Sequence, residues 1–137
     1  AAAAEMQELS VSELCSQLTA LCKDAPTREA ATSKRLLEIL SRLLGDQRQS
    51  REVLVHACSA IRNICCGDDA GLAQRRRMAV EAGALEASVQ AMQSSMDADL
   101  QWHCCKTLRR LCSGNPTTAY SHRERAVQAG ALPALVA

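Results

Sequence analysis

The sequence predicts an all-α chain of stacked helical repeats, an α-solenoid, and three observations carry that expectation. Alanine and leucine dominate, with 24 and 17 of the 137 residues. Phenylalanine is absent and Trp102 and Tyr120 are the sole aromatics, whereas a β-sandwich or barrel wants many aromatic and β-branched residues. Sliding the sequence by 47 residues aligns 55–90 with 102–137 without a gap, giving 14 identities in 36 positions. The identities include His56/His103, Cys58/Cys105, Arg62/Arg109, Cys65/Cys112, Gly67/Gly114 and the string Ala82-Gly83-Ala84-Leu85 with Ala129-Gly130-Ala131-Leu132. A period of this length marks stacked supersecondary units.

Each element has a local signal. A first helix is expected over residues 10–22, behind a Ser10-x-x-Glu13 capping box. Asp24-Ala25-Pro26-Thr27 breaks the chain, and a second helix covers roughly 28–44 before Gly45. The third runs from about 51 to 66 and ends at Gly67, a glycine suited to a helix C-terminus. Residues 72–82 make a short basic helix, and Gly83 bends the chain into 84–94. Asp97 or Asp99 caps a helix through Cys112, closed by Ser113-Gly114-Asn115-Pro116. After a loop, 123–129 and 131–137 repeat the bend at Gly130. Pro133 falls in the first turn of its helix, where its missing N–H does no harm.

A weaker copy of the repeat lies upstream at a shift of 43, placing Cys15 under Cys58 and Cys22 under Cys65. Leu36, Leu37, Leu40, Leu43 and Leu44 carry its apolar stripe. The expected organisation is one domain over 1–137, with a degenerate repeat at 5–45 and units at 46–94 and 95–137. The last unit stops short of its third helix and would expose an apolar end. The chain therefore reads as a piece of a longer protein, or as one whose open C-terminal end is covered by self-association.

Composition excludes several functions. Sixteen basic and fifteen acidic residues leave a formal charge of +1, so no global field recruits nucleic acid or membrane. No apolar run approaches the ~18 residues of a bilayer span, and Ala1–Ala4 lacks the charged start of a secretory signal. Of eight cysteines, Cys15/Cys22, Cys58/Cys65 and Cys105/Cys112 are pairs seven apart. Each such pair shares a helical face at ~10 Å, too far for a disulfide within the pair. Free thiols packed in the core of an intracellular, cytoplasmic or nuclear protein are the expectation. His56 near Cys58, and His103 beside Cys104 and Cys105, lack the ligand spacing of a structural zinc site, so neither metal nor cofactor is expected. No Gly-rich loop, carboxylate pair or Ser/His/Asp grouping suggests an enzyme.

Val127-Gln128-Ala129-Gly130-Ala131-Leu132-Pro133-Ala134-Leu135-Val136 strongly resembles the second-helix signature of armadillo repeats, and Val80-Glu81-Ala82-Gly83-Ala84-Leu85-Glu86-Ala87 looks like the same motif. Ala60-Ile61-Arg62-Asn63-Ile64-Cys65-Cys66-Gly67 and Thr107-Leu108-Arg109-Arg110-Leu111-Cys112-Ser113-Gly114 resemble the third helix. The resemblance covers about 50–137 well and 5–49 loosely. It implies a right-handed α-solenoid that binds an extended peptide in the concave groove of its third helices. The family's repeat is shorter; the extra length here lies around 70–75 and 117–122. Peptide-binding members project a Trp and, four residues on, an Asn from each third helix. Those positions map to Ser59 and Lys106, and to Asn63 and Arg110, with Ser16 and Ala20 upstream. Only Asn63 keeps the family residue, so capture of basic localisation signals is not expected.

Helical spacing assigns the faces. Leu54, Cys58, Ile61 and Cys65 form one core stripe, and Cys105, Leu108 and Cys112 its partner. The opposite side carries His56, Ser59, Arg62 and Asn63, then His103, Lys106, Arg109 and Arg110. This basic groove suits an acidic or phosphorylated partner segment of a protein. The alternative is nucleic acid, against which near-neutral charge and few aromatics argue. Arg75-Arg76-Arg77 reads as a solvated helix edge, and Trp102, in the place of Val55, as packing near the seam between repeats.

Overall fold

A computed structural model describes Glu13 and residues 33–136. Among the described residues there are seven α-helices and no strand. They are α1 (Lys34–Leu44), α2 (Arg51–Ile64), α3 (Leu72–Glu81), α4 (Ala84–Ser94), α5 (Ala98–Leu111), α6 (Pro116–Gln128) and α7 (Ala131–Val136). Glu13 is helical. The rest of the helix expected over 10–22, the break at 24–27, Cys15, Cys22 and most of the degenerate repeat lie outside the described residues.

Short polar side chains start the helices by accepting orphan N–H groups of the first turn. Ser33 Oγ accepts from Leu36 N at 3.0 Å and Ser50 Oγ from Val53 N at 3.3 Å. Asp97, 47 residues after Ser50, accepts from Leu100 N at 2.9 Å. The bends repeat as the sequence does: Gly67 and Gly114 both have φ 108°, and Gly83 and Gly130 both have φ 96°. These left-handed values favour glycine, because a Cβ would crowd the following carbonyl.

Burial in α1 follows one stripe of Leu37, Leu40, Ser41 and Leu44. That face packs on α2 and α4, while α5 packs on α2 and α4, and α7 on α4. Leu37, Leu40, Ile61, Ile64, Leu85 and Leu111 are fully buried at the centre.

Three expectations need correction. First, α6 begins at Pro116, not near residue 123. Asn115 accepts from Thr117 N at 3.0 Å and Pro116 occupies the first turn, so the expected loop at 117–122 is helix. Its Ala119, His122 and Ala126 are buried, a spacing of three and four that sequence alone left unread.

Second, the core stripe of α5 is rotated. Its buried residues are Leu100, Cys104, Thr107, Leu108 and Leu111, whereas Cys105 and Cys112 are half-buried. The cause is what each helix packs against. Cys58 of α2 is buried against α5, its Sγ 4.0 Å from Cys104 Sγ and 3.0 Å from Thr107 Oγ1. The equivalent Cys105 packs only at the margin of the core and stays half-buried.

Third, Arg75 is not a solvated edge residue: it is 1% exposed. Its Nε donates to the Ile64 carbonyl at 2.7 Å and its Nη2 to that of Cys66 at 3.2 Å. Asp69 neutralises it through bonds of 2.6 and 2.8 Å. The guanidinium thus fills the carbonyls that the end of α2 leaves without intrahelical donors. One repeat later His122 stands in the place of Arg75, and its Nδ1–H donates to the Leu111 carbonyl at 2.9 Å. Leu111 is the counterpart of Ile64, and Pro116 replaces Asp69.

The glycine corners give a first test. A Cβ at Gly83 would meet nothing within 4 Å, whereas one at Gly114 would lie 2.6 Å from Arg76 Nη1. Gly83→Ala should lose about 1–2 kcal/mol from backbone strain alone. Gly114→Ala should lose more, because Arg76 must also move. Urea unfolding of both variants checks the order, and an equal or smaller loss at Gly114 would contradict it.

Candidate functional site

Helices α2 and α5 lie side by side, and an ion-pair bridge aligns their N-terminal ends. Arg51 at the start of α2 binds Asp97, the cap of α5, through Nε, and Asp99 at 2.7 Å through Nη2. The Leu100 N–H, and then the Arg51 guanidinium, hold the Asp97 carboxyl below the usual carboxylate range. With the starts tied, residues 47 apart present themselves along neighbouring helices.

At the C-terminal ends, Arg62, Asn63 and Cys66 meet Lys106, Arg109 and Arg110 around a cleft of about 270 Å³. Five of the eight expected groove residues therefore converge. Lys106, Arg109 and Arg110 are exposed, and Arg62 and Asn63 half-buried. The face is cationic because positions 62, 106, 109 and 110 lie opposite the core stripes, within a turn of one another.

His56, Ser59 and His103 do not line the cleft. Ser59, expected on the open face, is 4% exposed. The reason is His103, whose Nδ1 lies 3.3 Å from Ser59 Oγ and 3.2 Å from Arg62 Nη1. Arginine can only donate, so Nδ1 is the acceptor and the ring proton sits on Nε2. Burial, and then the Arg62 charge, push the His103 pKa down, which keeps the ring neutral at pH 7. His103 thus positions Arg62. His56 is half-buried on α2, near His103.

Trp102 adds a feature that sequence reasoning placed at the seam. Its side chain is 52% exposed, with Lys106 Nζ 4.2 Å and Arg62 Cζ 5.8 Å from the ring centroid. Its edge-on contact with His103 has centroids 4.9 Å apart. Trp102, Lys106 and Arg110 recur every four residues, so they share one face of α5. That spacing was the signal that could have found Trp102.

Cys58, Cys65 and Cys104 are buried in the core. Burial pushes the Cys65 thiol up to about 12. The hydrogen bond with Cys58, and then burial, hold the Cys104 proton far above the ordinary thiol range. Among the described residues, no group of three or more His, Cys, Asp or Glu could hold a metal ion, and no helix is long and apolar enough to cross a membrane. Searches against family models, curated proteins and solved structures find no match to this chain.

Proposed function

We propose that the chain is a protein-interaction scaffold of armadillo type, a right-handed α-solenoid that holds an extended acidic or phosphorylated segment against α2 and α5. One observation carries this reading. Arg62, Lys106, Arg109 and Arg110 gather at a single cleft, and none of them makes an ion pair among the described residues. Like charges brought together without counter-ions are costly unless a ligand neutralises them. The paired arginines suit carboxylate or phosphate as planar forks, and Lys106 adds a mobile point charge. Asn63 lines the same cleft. The repeated φ values at Gly67/Gly114 and Gly83/Gly130 support the solenoid, because equal bends at equal intervals generate a superhelix.

The test uses a fluorescein-labelled peptide of alternating phosphoserine and glutamate, followed by anisotropy over a range of salt. Combined Lys106→Ala, Arg109→Ala and Arg110→Ala should weaken binding by roughly 1–3 kcal/mol, since each exposed charge pair contributes ~0.2–1 kcal/mol. Salt dependence should flatten as well. Helicity should stay unchanged, because all three residues are exposed. Equal binding by variant and parent at every salt would refute the groove.

Trp102 favours a second reading, in which single-stranded nucleic acid stacks on its exposed ring beside the cations. One aromatic makes a poor ladder for successive bases, so this reading ranks lower. An oligonucleotide that binds more tightly than the phosphopeptide would reverse the ranking.

A further inference from the structure

We propose a second binding site, for a primary ammonium group, in the cleft between the C-terminal half of α1 and the turn joining α3 to α4. It shares no residue with the basic groove. The cleft measures about 380 Å³, and its polar lining includes Glu38, Ser41, Arg42, Glu86 and Gln90. Two of these carry an orphaned buried atom. Ser41 sits on the core stripe of α1, 5% exposed, and its Oγ has no hydrogen-bond partner. Glu86 binds Arg125 through Oε1, while its buried Oε2 has none.

A carboxylate oxygen can only accept, so what completes it must be a donor. Buried polar atoms without partners are uncommon in folded proteins and point to an absent ligand or solvent. An ammonium brings three N–H groups, and the acceptors Glu86, Ser41 and Glu38 all line this one cleft. An anion would face the Glu38 carboxylate and the second oxygen of Glu86, whose first oxygen Arg125 already holds. Arg42, the one cation in the lining, is exposed and pairs with neither of them. Entry is open at Gly83, where even an added Cβ would meet nothing within 4 Å. The ammonium could come from a lysine side chain of a partner protein or from a free alkylamine.

The test is an NMR titration of the full ¹⁵N-labelled chain with acetyl-Gly-Lys-Gly-amide and, separately, with cadaverine. A peptide with norleucine in place of lysine serves as control. Saturable shifts are expected at the amides of Ser41, Leu85 and Glu86. Saturation by the peptide assigns the site to a protein lysine, and saturation by cadaverine alone assigns it to a free amine. Glu86→Gln should weaken binding roughly tenfold, the usual worth of a charged hydrogen bond, and Ser41→Ala severalfold. Arg125→Ala should bind as well or better, because it frees the second Glu86 oxygen. These last two variants carry the test should Glu86→Gln fail to fold. No saturation with either probe, equal shifts with norleucine, or full affinity in folded Glu86→Gln or in Ser41→Ala would overturn the site and leave its atoms to solvent.

Discussion

Arg75→Ala is expected to destabilise the chain by about 3–5 kcal/mol, the range for removing one partner of a buried ion pair. The loss has three sources. The carbonyls of Ile64 and Cys66 lose their donor, the Asp69 carboxylate loses its counter-charge, and the corner between α2 and α3 is left with a cavity. Against a typical domain stability of about 5–15 kcal/mol, that is enough to threaten folding at body temperature. The neighbouring Arg77 is exposed, so Arg77→Ala should stay within about 0.5 kcal/mol. Urea denaturation followed by far-UV circular dichroism compares the two. If Arg75→Ala unfolds at the same urea concentration as Arg77→Ala, the guanidinium does not hold the corner.

The second large effect is expected at Cys58, which is completely buried between α2 and α5. Cys58→Arg forces a charge into a site whose polar neighbours are a thiol and the Thr107 hydroxyl. The Thr107 hydroxyl already reaches the carbonyls of His103 at 3.0 Å and Cys58 at 3.3 Å. An unpaired buried charge, with overpacking, should remove at least about 3–5 kcal/mol. The soluble yield should collapse, or the unfolding midpoint fall steeply. Thiol labelling of the parent chain provides the companion measurement. Cys58, Cys65 and Cys104 should react only in denaturant, while the half-buried Cys66, Cys105 and Cys112 should react in the native state. Prompt native labelling of Cys58 would contradict the packing on which this expectation rests.

Much of the architecture was legible because the residues responsible act locally. Ser50 and Asp97 cap helices by reaching three residues along their own chain. Gly83 and Gly130 bend the backbone through conformations that other residues resist. The cationic character of the cleft was legible too, since Arg62, Lys106, Arg109 and Arg110 fall opposite an apolar stripe at helical spacing. Features that depend on a neighbour were harder to see. Whether Cys104 or Cys105 is buried depends on which side of α5 another helix covers. Trp102 reads as a seam residue until Arg62 and Lys106 are found beside its ring. Arg75 stood in a run of three arginines, where a solvated edge is the ordinary reading. Its one clue was alignment with His122 at a position flanked by Leu72 and Ala79, all on one face of α3.

That alignment reaches beyond stability. The repeat does not prescribe an arginine at its corner; it prescribes a buried N–H directed at the final carbonyl of the preceding helix. Two spellings of this rule coexist in one chain. Arginine is written together with an aspartate six residues earlier, and histidine together with a proline in that place. The members of each spelling are bound to one another, because a guanidinium needs its counter-charge and an imidazole does not. Sequence drift at such a corner would therefore proceed by exchange of whole pairs. A hybrid spelling, with arginine facing proline, would strand a cation inside the fold. Two repeats can thus diverge at these positions while keeping an interchangeable joint.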